Sequence, residues 1–168
     1  MEQWEKDGVQ PSDDWSSLIF IRIFSTLEDV PERKLVGYLL VIERARQDPK
    51  YKLPGGHKQA GETPLDTAVR ETFGETGLAF SPEAFTYVNS LWITPRSGNS
   101  HWSCLFVVDA SETQANGMHE RHEENEGEEP ESLTTDRFYE FLRERKILGA
   151  HVRRREEAVL ILPLGRAA

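Results

Sequence analysis

The stretch from Leu53 to Leu78, LPGGHKQAGETPLDTAVRETFGETGL, constrains the fold most because a glycine-rich loop leads directly into one short helix. Thr63 is a good N-cap residue, Pro64 suits the first helical position, and Gly77 suits the C-cap. The pattern therefore predicts a helix over residues 64–76. The loop before it contains too much glycine to be helical.

The predicted helix has an apolar side and a charged side. Four apolar residues recur at helical spacing and are expected to face the core: Leu65, Ala68, Val69 and Phe73. Glu71 and Glu75 are four residues apart, so both carboxylates project to the same side and can reach one cation. Oxygen ligands of this kind suit Mg²⁺ or Mn²⁺, which complete their shell with water and phosphate oxygens. The pair indicates a phosphate-processing site, although similar pairs also occur on exposed helix faces.

Apolar segments on both sides of this stretch predict strands. Residues 16–24 and 34–45 precede it, and residues 84–93 and 101–110 follow it as an expected antiparallel pair. Near the end, AVLILPL predicts a short strand or a packed tail. Strands, a helix, further strands and a late helix together predict an α/β fold with a mixed sheet covered by helices.

The late helix is predicted from TTDRFYEFLRERK, with Thr135 as its N-cap and phenylalanines on one face. Two charged runs flank it. The acidic run over residues 112–131 is expected to be a long loop, and the basic run from Arg143 to Arg155 a second solvated surface segment.

Length and composition suggest a single domain over residues 1–168, with residues 1–15 as an N-terminal arm. The arm contains Trp4 and Trp15. The arm either packs on a partner subunit in a homodimer or folds over its own domain. No apolar run approaches the roughly 20 residues that span a bilayer, and the acidic N-terminus does not resemble a signal peptide, so a cytoplasmic protein is expected. The net charge of −9 disfavours nucleic-acid binding. Cys104 stands alone and is expected to be a core thiol.

The opening stretch resembles the box of the Nudix hydrolases, G-x5-E-x7-R-E-U-x-E-E-x-G-U, where U is a bulky aliphatic residue. Seven residues occupy its fixed positions in register: Gly56, Glu62, Arg70, Glu71, Glu75, Gly77 and Leu78. This resemblance implies an α/β/α sandwich with its box region at residues 53–78. It also implies hydrolysis of a pyrophosphate bond in a nucleoside diphosphate linked to another moiety, with a small-molecule nucleotide as substrate.

The resemblance also assigns roles to individual residues. Glu71 and Glu75 would bind Mg²⁺ or Mn²⁺, and the carbonyl of Gly56 would complete the shell. Arg70 would pair with Glu62 and brace the loop against the helix, which holds the ligands in place. One of the glutamates, or another from a later loop, would orient or deprotonate the attacking water.

Two positions depart from the box. Thr72 replaces the aliphatic residue, which is a mild change because threonine is β-branched and partly apolar. Gly74 replaces the first glutamate of the E-E pair, so one carboxylate ligand is missing. Either Glu71 and Glu75 hold the metal without it, or a glutamate of the acidic run replaces it. The candidates in that run are Glu120, Glu123, Glu124, Glu126, Glu128 and Glu129, with Glu126 to Glu129 favoured.

The missing carboxylate also leaves a second functional hypothesis. A protein with this box could be a catalytically impaired Nudix-fold module that binds a nucleotide or regulates a partner. The substrate-binding residues themselves are not determined by the sequence. Trp92, Trp102 and Tyr87 could stack on a base or could be core residues, and Lys52 and Arg96 could meet phosphates.

Overall fold

The computed structural model of the protein describes residues 1–43, 46–118, 128–151 and 153–155. The helices in these ranges include α1 (Gln3–Lys6), α2 (Pro64–Thr76), α3 (Glu112–Asn116) and α4 (Thr135–Arg143), with a 3-10 turn at Pro82–Ala84. The strands are β1 (Trp15–Phe24), β2 (Leu35–Ile42), β3 (Tyr51–Lys52), β4 (Gly55–His57), β5 (Thr86–Ile93), β6 (His101–Ser111) and β7 (Glu129–Thr134). The AVLILPL segment lies outside the described residues.

These strands form one mixed sheet. Its order is β3-β2-β1-β6-β5, while β4 also pairs with β1 and β7 also pairs with β2. Strands β1 and β6 run parallel over ten residue pairs, from Trp15 opposite Trp102 to Phe24 opposite Ser111. The other pairs are antiparallel, including the predicted pair of β5 and β6.

Alternate residues of a strand point to opposite sides of the sheet, and in β1 both alternating sets are mainly apolar, so both faces of the sheet are apolar. In β1, Ile19 and Ile21 join a core cluster that also contains Ala68 of α2. Phe20 between them joins a second cluster that contains Phe138 of α4. One helix therefore covers each face, and the predicted α/β/α sandwich is confirmed.

Helix α2 begins and ends where its sequence predicts. The side chain of Thr63 accepts a hydrogen bond from the backbone N–H of Asp66 and the side chain of Asp66 accepts one from the N–H of Thr63, which satisfies two of the free donors at the helix start. Gly77 adopts a left-handed conformation with φ of 74°, and its N–H donates to the carbonyl of Phe73. Glycine adopts this conformation without steric cost.

The expectation that Phe73 faces the core is wrong. Its side chain is 51% exposed. The buried stripe of α2 instead follows steps of four residues through Ala68, Thr72 and Thr76. The hydroxyls of Thr72 and Thr76 each donate to the carbonyl four residues earlier, so neither polar group is unsatisfied in the core.

The acidic run is not a continuous loop. It contains α3 and the start of β7, while residues 119–127 lie outside the described residues. The late helix begins one residue earlier than its expected cap allowed, because the hydroxyl of Thr134, rather than that of Thr135, accepts the N–H of Arg137. No helix in the described ranges is both long and apolar enough to cross a membrane.

The N-terminal arm folds over its own chain. Trp4 is buried, and its ring lies 6.0 Å from that of Tyr87 and 6.2 Å from that of Phe106. The carboxylate of Asp7 accepts hydrogen bonds from the Tyr87 hydroxyl and the Ser90 N–H. The arm therefore covers the end of the α2 face of the sheet.

The basic run is not simply a solvated segment, because its last two arginines are buried. Residues 149–151 and 153–155 are helical and form what we call the C-terminal segment. Arg155 inserts its guanidinium among four aromatic rings at 4.8 to 5.8 Å: Phe20, Tyr38, Phe138 and Tyr139. It also donates to the hydroxyls of Tyr38 and Tyr139 at 3.0 and 3.2 Å. This aromatic cage fixes the segment on the α4 face of the sheet.

We expect the Arg155→Ala substitution to lower the free energy of unfolding by about 2 to 4 kcal/mol, because it removes cation–π contacts and two buried hydrogen bonds. Chemical denaturation measures the change. Arg153→Ala is the matched control, since Arg153 lies in the same segment but is exposed. Equal effects of the two substitutions would contradict the role of the cage.

Candidate functional site

Arg70 connects the loop and the helix of the box stretch. Its Nε lies 2.5 Å from Oε1 of Glu62, and its Nη2 donates to Oε2 of Glu62 at 3.1 Å and to the carbonyl of His57 at 2.9 Å. Its Nη1 donates to Oε1 of Glu71 at 2.5 Å. One guanidinium therefore fixes two of the candidate carboxylates and the end of β4.

Glu62 receives further hydrogen bonds in the loop. Its Oε2 accepts from the backbone N–H of Gln59 and from the hydroxyl of the buried Thr67, each at 2.8 Å. The hydrogen bond from Arg70 is the main cause that lowers the pKa of Glu62 to about 2. The same contact raises the pKa of Arg70. Both groups are charged at neutral pH, and the loop is tied to α2 by a full ion pair.

Gly56 lies directly against the carboxylate of Glu71. A Cβ atom at residue 56 would overlap with that carboxylate, so the close approach requires glycine. The backbone of β4 at Gly56 thereby comes close to the carboxylate of Glu71, the candidate metal ligand.

Glu75 meets a carboxylate from a distant part of the chain. Its Oε2 accepts the N–H of Gly55 at 2.9 Å, and its carboxyl group contacts that of Glu128, which forms an ion pair with Lys52. Burial and the neighbouring Glu128 raise the pKa of Glu75 well above its usual range. Burial alone would raise the pKa of Glu128, but hydrogen bonds with Glu75 and Lys52 outweigh it and lower that pKa. The surroundings therefore favour a proton shared between the two carboxyl groups.

Among the described residues of the acidic run, Glu128 is thus the glutamate whose carboxyl group contacts Glu75 of α2. It immediately precedes β7, whose pairing with β2 places Glu129 opposite Ile42. Glu120, Glu123, Glu124 and Glu126 lie outside the described residues. Lys52, expected to meet phosphates, lies beside this carboxylate pair.

The residues present fit a hard divalent cation. Within the described ranges, no three His, Cys, Asp or Glu side chains by themselves form a metal-binding group. Mg²⁺ does not require one, because it typically binds one or two carboxylates and takes its remaining ligands from water and substrate phosphates. Two partly buried carboxylates in contact are stabilised by either a proton or a cation. The Glu75–Glu128 pair and the glycine approach to Glu71 both suit such an ion.

A cavity of about 480 Å³ opens on the α4 face of the sheet. It lies beside the glycine-rich loop of residues 53–63 that precedes α2, which we call the box loop. Its walls combine aliphatic and cationic residues from β1, β3, the box loop, β5, β6 and the C-terminal segment. They include Leu18, Lys52, Leu53, Gly56, His57, Leu91, Ile93, His101, His151, Arg153 and Arg154. The cavity is therefore adjacent to the loop that carries the candidate metal ligands and is suited to an anionic ligand with an apolar part.

The three aromatic residues considered for base stacking do not line this cavity. Trp102 and Tyr87 pack on the α2 face, and the ring of Trp92 contacts that of Trp102 at 5.5 Å. Arg96 is exposed in the loop between β5 and β6. Cys104 is fully buried, and burial raises the pKa of its thiol to about 11, as suits a core residue.

Sequence reasoning missed the cavity residues that follow α4. His151 and Arg154 come from the C-terminal segment, and His57 and His101 come from two separate strands with rings 4.9 Å apart. No spacing in the sequence joins these residues, because strand pairing and the Arg155 cage bring them together.

A family model described as NUDIX domain matches residues 24–149. The chain belongs to the Nudix family. Solved structures agree with this assignment. A Nudix hydrolase from Nitrosomonas europaea aligns over 94% of this chain and 98% of its own, with 17% identity and a TM-score of 0.63. A MutT/Nudix family protein from Listeria innocua aligns over 92% and 96%, with 17% identity and a TM-score of 0.58.

A MutT/Nudix family protein from Enterococcus faecalis aligns over 73% of this chain at 20% identity, with a TM-score of 0.54. The chain spans only 44% of that protein's length. At such identities these likenesses show the Nudix fold alone. No curated protein shows significant similarity to the sequence.

The Glu62–Arg70 pair predicts a specific pH dependence. Because the pKa of Glu62 is about 2 in the folded chain and about 4.3 in an unfolded one, its stabilising contribution is full above pH 4.3 and is lost as pH falls towards 2. We expect the free energy of unfolding to fall less steeply between about pH 5 and pH 2.5 in the Glu62→Gln variant than in the wild type. Urea titrations at each pH measure the free energy of unfolding of both proteins.

Glu83→Gln is the matched control for this experiment, since Glu83 is an exposed residue of the 3-10 turn. Its pH profile should match the wild-type profile. A Glu62→Gln profile that also matches the wild type would show that the ion pair does not contribute to stability.

Proposed function

We propose that this Nudix protein is a hydrolase that uses Mg²⁺ or Mn²⁺ to cleave a pyrophosphate bond in a nucleoside diphosphate linked to another moiety. The observation that carries the proposal is the contact between the carboxyl groups of Glu75 and Glu128 next to the box loop. Two carboxylates in contact are unfavourable without a proton or cation, so their placement here has a chemical use.

The proposed metal ligands are Glu71, Glu75 and the carbonyl of Gly56, as the family box implies. Glu128 supplies the further carboxylate that Gly74 cannot provide. When bound, the cation supplies Lewis-acid chemistry that lowers the pKa of water and neutralises charge on the phosphates. These ligands lie on three elements, α2, β4 and the chain entering β7, which the sheet holds in fixed positions.

Arg70 and Glu62 are positioning residues in this proposal. The Arg70 guanidinium orients Glu71 and contacts the carbonyl of His57 at the end of β4, so Glu71 and β4 are held relative to each other before the site fills. A carboxylate of the Glu75–Glu128 pair that is ionised when the cation is bound is suited to accept the proton of the attacking water, because burial favours its protonated form.

The cavity supports an anionic nucleotide as the substrate class. Lys52, Arg153 and Arg154 supply positive charge at its walls, and Leu18, Leu91 and Ile93 supply apolar surface for the remainder of the ligand. A substrate with phosphates at the box loop and an uncharged moiety on the sheet face would match both.

We expect hydrolysis of at least one substrate from a panel of dinucleotides, nucleotide sugars and nucleoside triphosphates, and only when Mg²⁺ or Mn²⁺ is added. The Glu75→Gln substitution should lower kcat by about 100-fold or more, because it removes a metal ligand and proton acceptor. Release of phosphate or nucleotide measures both the metal dependence and the change in kcat. Activity indifferent to metal and to this substitution would exclude the mechanism, and nucleotide binding without turnover would favour a binding module instead.

The role of Glu128 predicts a further pattern of activities. The Glu128→Gln substitution should lower kcat by about 100-fold, whereas Glu112→Gln, at an exposed glutamate of α3, should leave it unchanged. The measurement is steady-state hydrolysis of the substrate found in the panel. Equal activity of the two variants would show that Glu128 is not part of the site.

Gly74 gives the complementary test. A Cβ atom at this position would meet no atom within 4 Å, so Gly74→Ala fits and should stabilise α2 by about 0.5 to 1 kcal/mol, and the side chain of Gly74→Glu starts from the same open position. Because Glu128 already supplies the carboxylate, both variants should keep kcat within about threefold of the wild type, a change of under 1 kcal/mol in the barrier. A large gain in activity confined to Gly74→Glu would contradict the assignment.

A further inference from the structure

His151 of the C-terminal segment lines the cavity close to the box loop. Its backbone N–H donates to the carbonyl of Leu148 at 3.0 Å, and its ring Nδ1 accepts the backbone N–H of Leu53 at 2.9 Å. Leu53 is followed by Pro54 and Gly55, the residues that lead into β4. His151 is therefore held through both its backbone N–H and its ring Nδ1 atom, and the ring lies against the start of the box stretch.

This contact fixes which ring nitrogen carries the proton. A histidine nitrogen that accepts a hydrogen bond from a backbone N–H is unprotonated, so the proton of the neutral ring lies on Nε2. Burial, together with the positive charges of Lys52 and Arg154, lowers the pKa of His151 to about 4, so the ring is neutral at physiological pH. Among the described residues, none accepts a hydrogen bond from Nε2, and that atom is not buried away from solvent. Because His151 is one of the residues that line the cavity, its Nε2–H is available as a donor to a bound ligand.

The surroundings of this donor select the chemistry of its acceptor. Lys52, Arg153 and Arg154 line the same cavity, and Lys52 links it to the Glu75–Glu128 pair. An oxygen atom with negative charge is the acceptor that such an environment favours. A neutral N–H donor adds direction to this attraction without adding a further charge to be desolvated.

We propose that His151 is a substrate-binding residue whose Nε2–H donates a hydrogen bond to a phosphoryl oxygen of the bound nucleotide. This inference rests on the proposed function, since it names a further contact to the same class of substrate. It makes the C-terminal segment, rather than only the box, part of phosphate recognition.

Two substitutions separate the donor from the structural contact. In the His151→Asn variant the amide oxygen can replace Nδ1 as acceptor for Leu53, but no donor reaches the position of Nε2. In the His151→Gln variant an amide N–H lies near that position. The probe is α,β-methylene-ADP, a nucleoside diphosphate with a non-hydrolysable bridge, titrated calorimetrically with Mg²⁺ present. Methylenediphosphonate serves as the probe without a nucleoside.

We expect His151→Asn to weaken binding of both probes by about 10- to 100-fold, as for loss of a hydrogen bond to a charged group, and His151→Gln to restore most of it. In wild-type protein labelled with ¹⁵N, the Nε2–H resonance of His151 should shift when α,β-methylene-ADP binds. A purely structural role would not move this resonance.

Three results would overturn the inference. They are unchanged affinity in His151→Asn, an unmoved Nε2–H resonance at saturating probe, and failure of the wild type to bind either probe. Hydrolysis is measured separately. Probe binding that depends on His151 in a protein without turnover would reject only the proposed enzyme activity, whereas turnover with unchanged affinity in His151→Asn would reject only the role of His151.

Discussion

The guanidinium of Arg70 is the contact on which the candidate site depends. It joins Glu62 in the loop, the carbonyl of His57 at the end of β4 and Glu71 on the helix, so three separate parts of the box stretch share one cation. Without a positive charge at this point, Glu62 and Glu71 would lie close together with no compensation. The planar fork of arginine can serve these acceptors at once, which the single ammonium of lysine cannot do with the same geometry.

The core extends this arrangement inwards. The indole N–H of Trp15 donates to the hydroxyl of Thr67, which in turn donates to Glu62. The hydroxyl of Ser17 donates to the carbonyl of Pro64 at the first turn of α2. Strand β1 thus holds the helix and the loop by hydrogen bonds as well as by packing, and the site inherits the rigidity of the central strand.

Features encoded locally could be predicted from the sequence, and features that depend on distant contacts could not. The cap at Thr63 and the left-handed Gly77 define α2 to the residue because both act within one helical turn. The helical spacing of Phe73 predicts a core position, but spacing alone does not show which stripe of α2 meets the sheet. The burial of Arg155 depends on four rings from three elements, and the contact of Glu128 with Glu75 depends on the pairing of β7 with β2.

The position of Glu128 also determines when this site can exist during folding. Glu71, Glu75 and Gly56 lie in one short stretch and can approach one another as soon as α2 and its loop form. Glu128 joins them only after β7 has paired with β2 in the correct register. A slip of one residue in this register would turn the side chains of β7 to the opposite face of the sheet. The full carboxylate set is therefore assembled late, by long-range pairing that is slow compared with helix formation. A partly folded chain has the box but lacks the contact with Glu128. The complete arrangement of carboxylates therefore exists only once the sheet has formed.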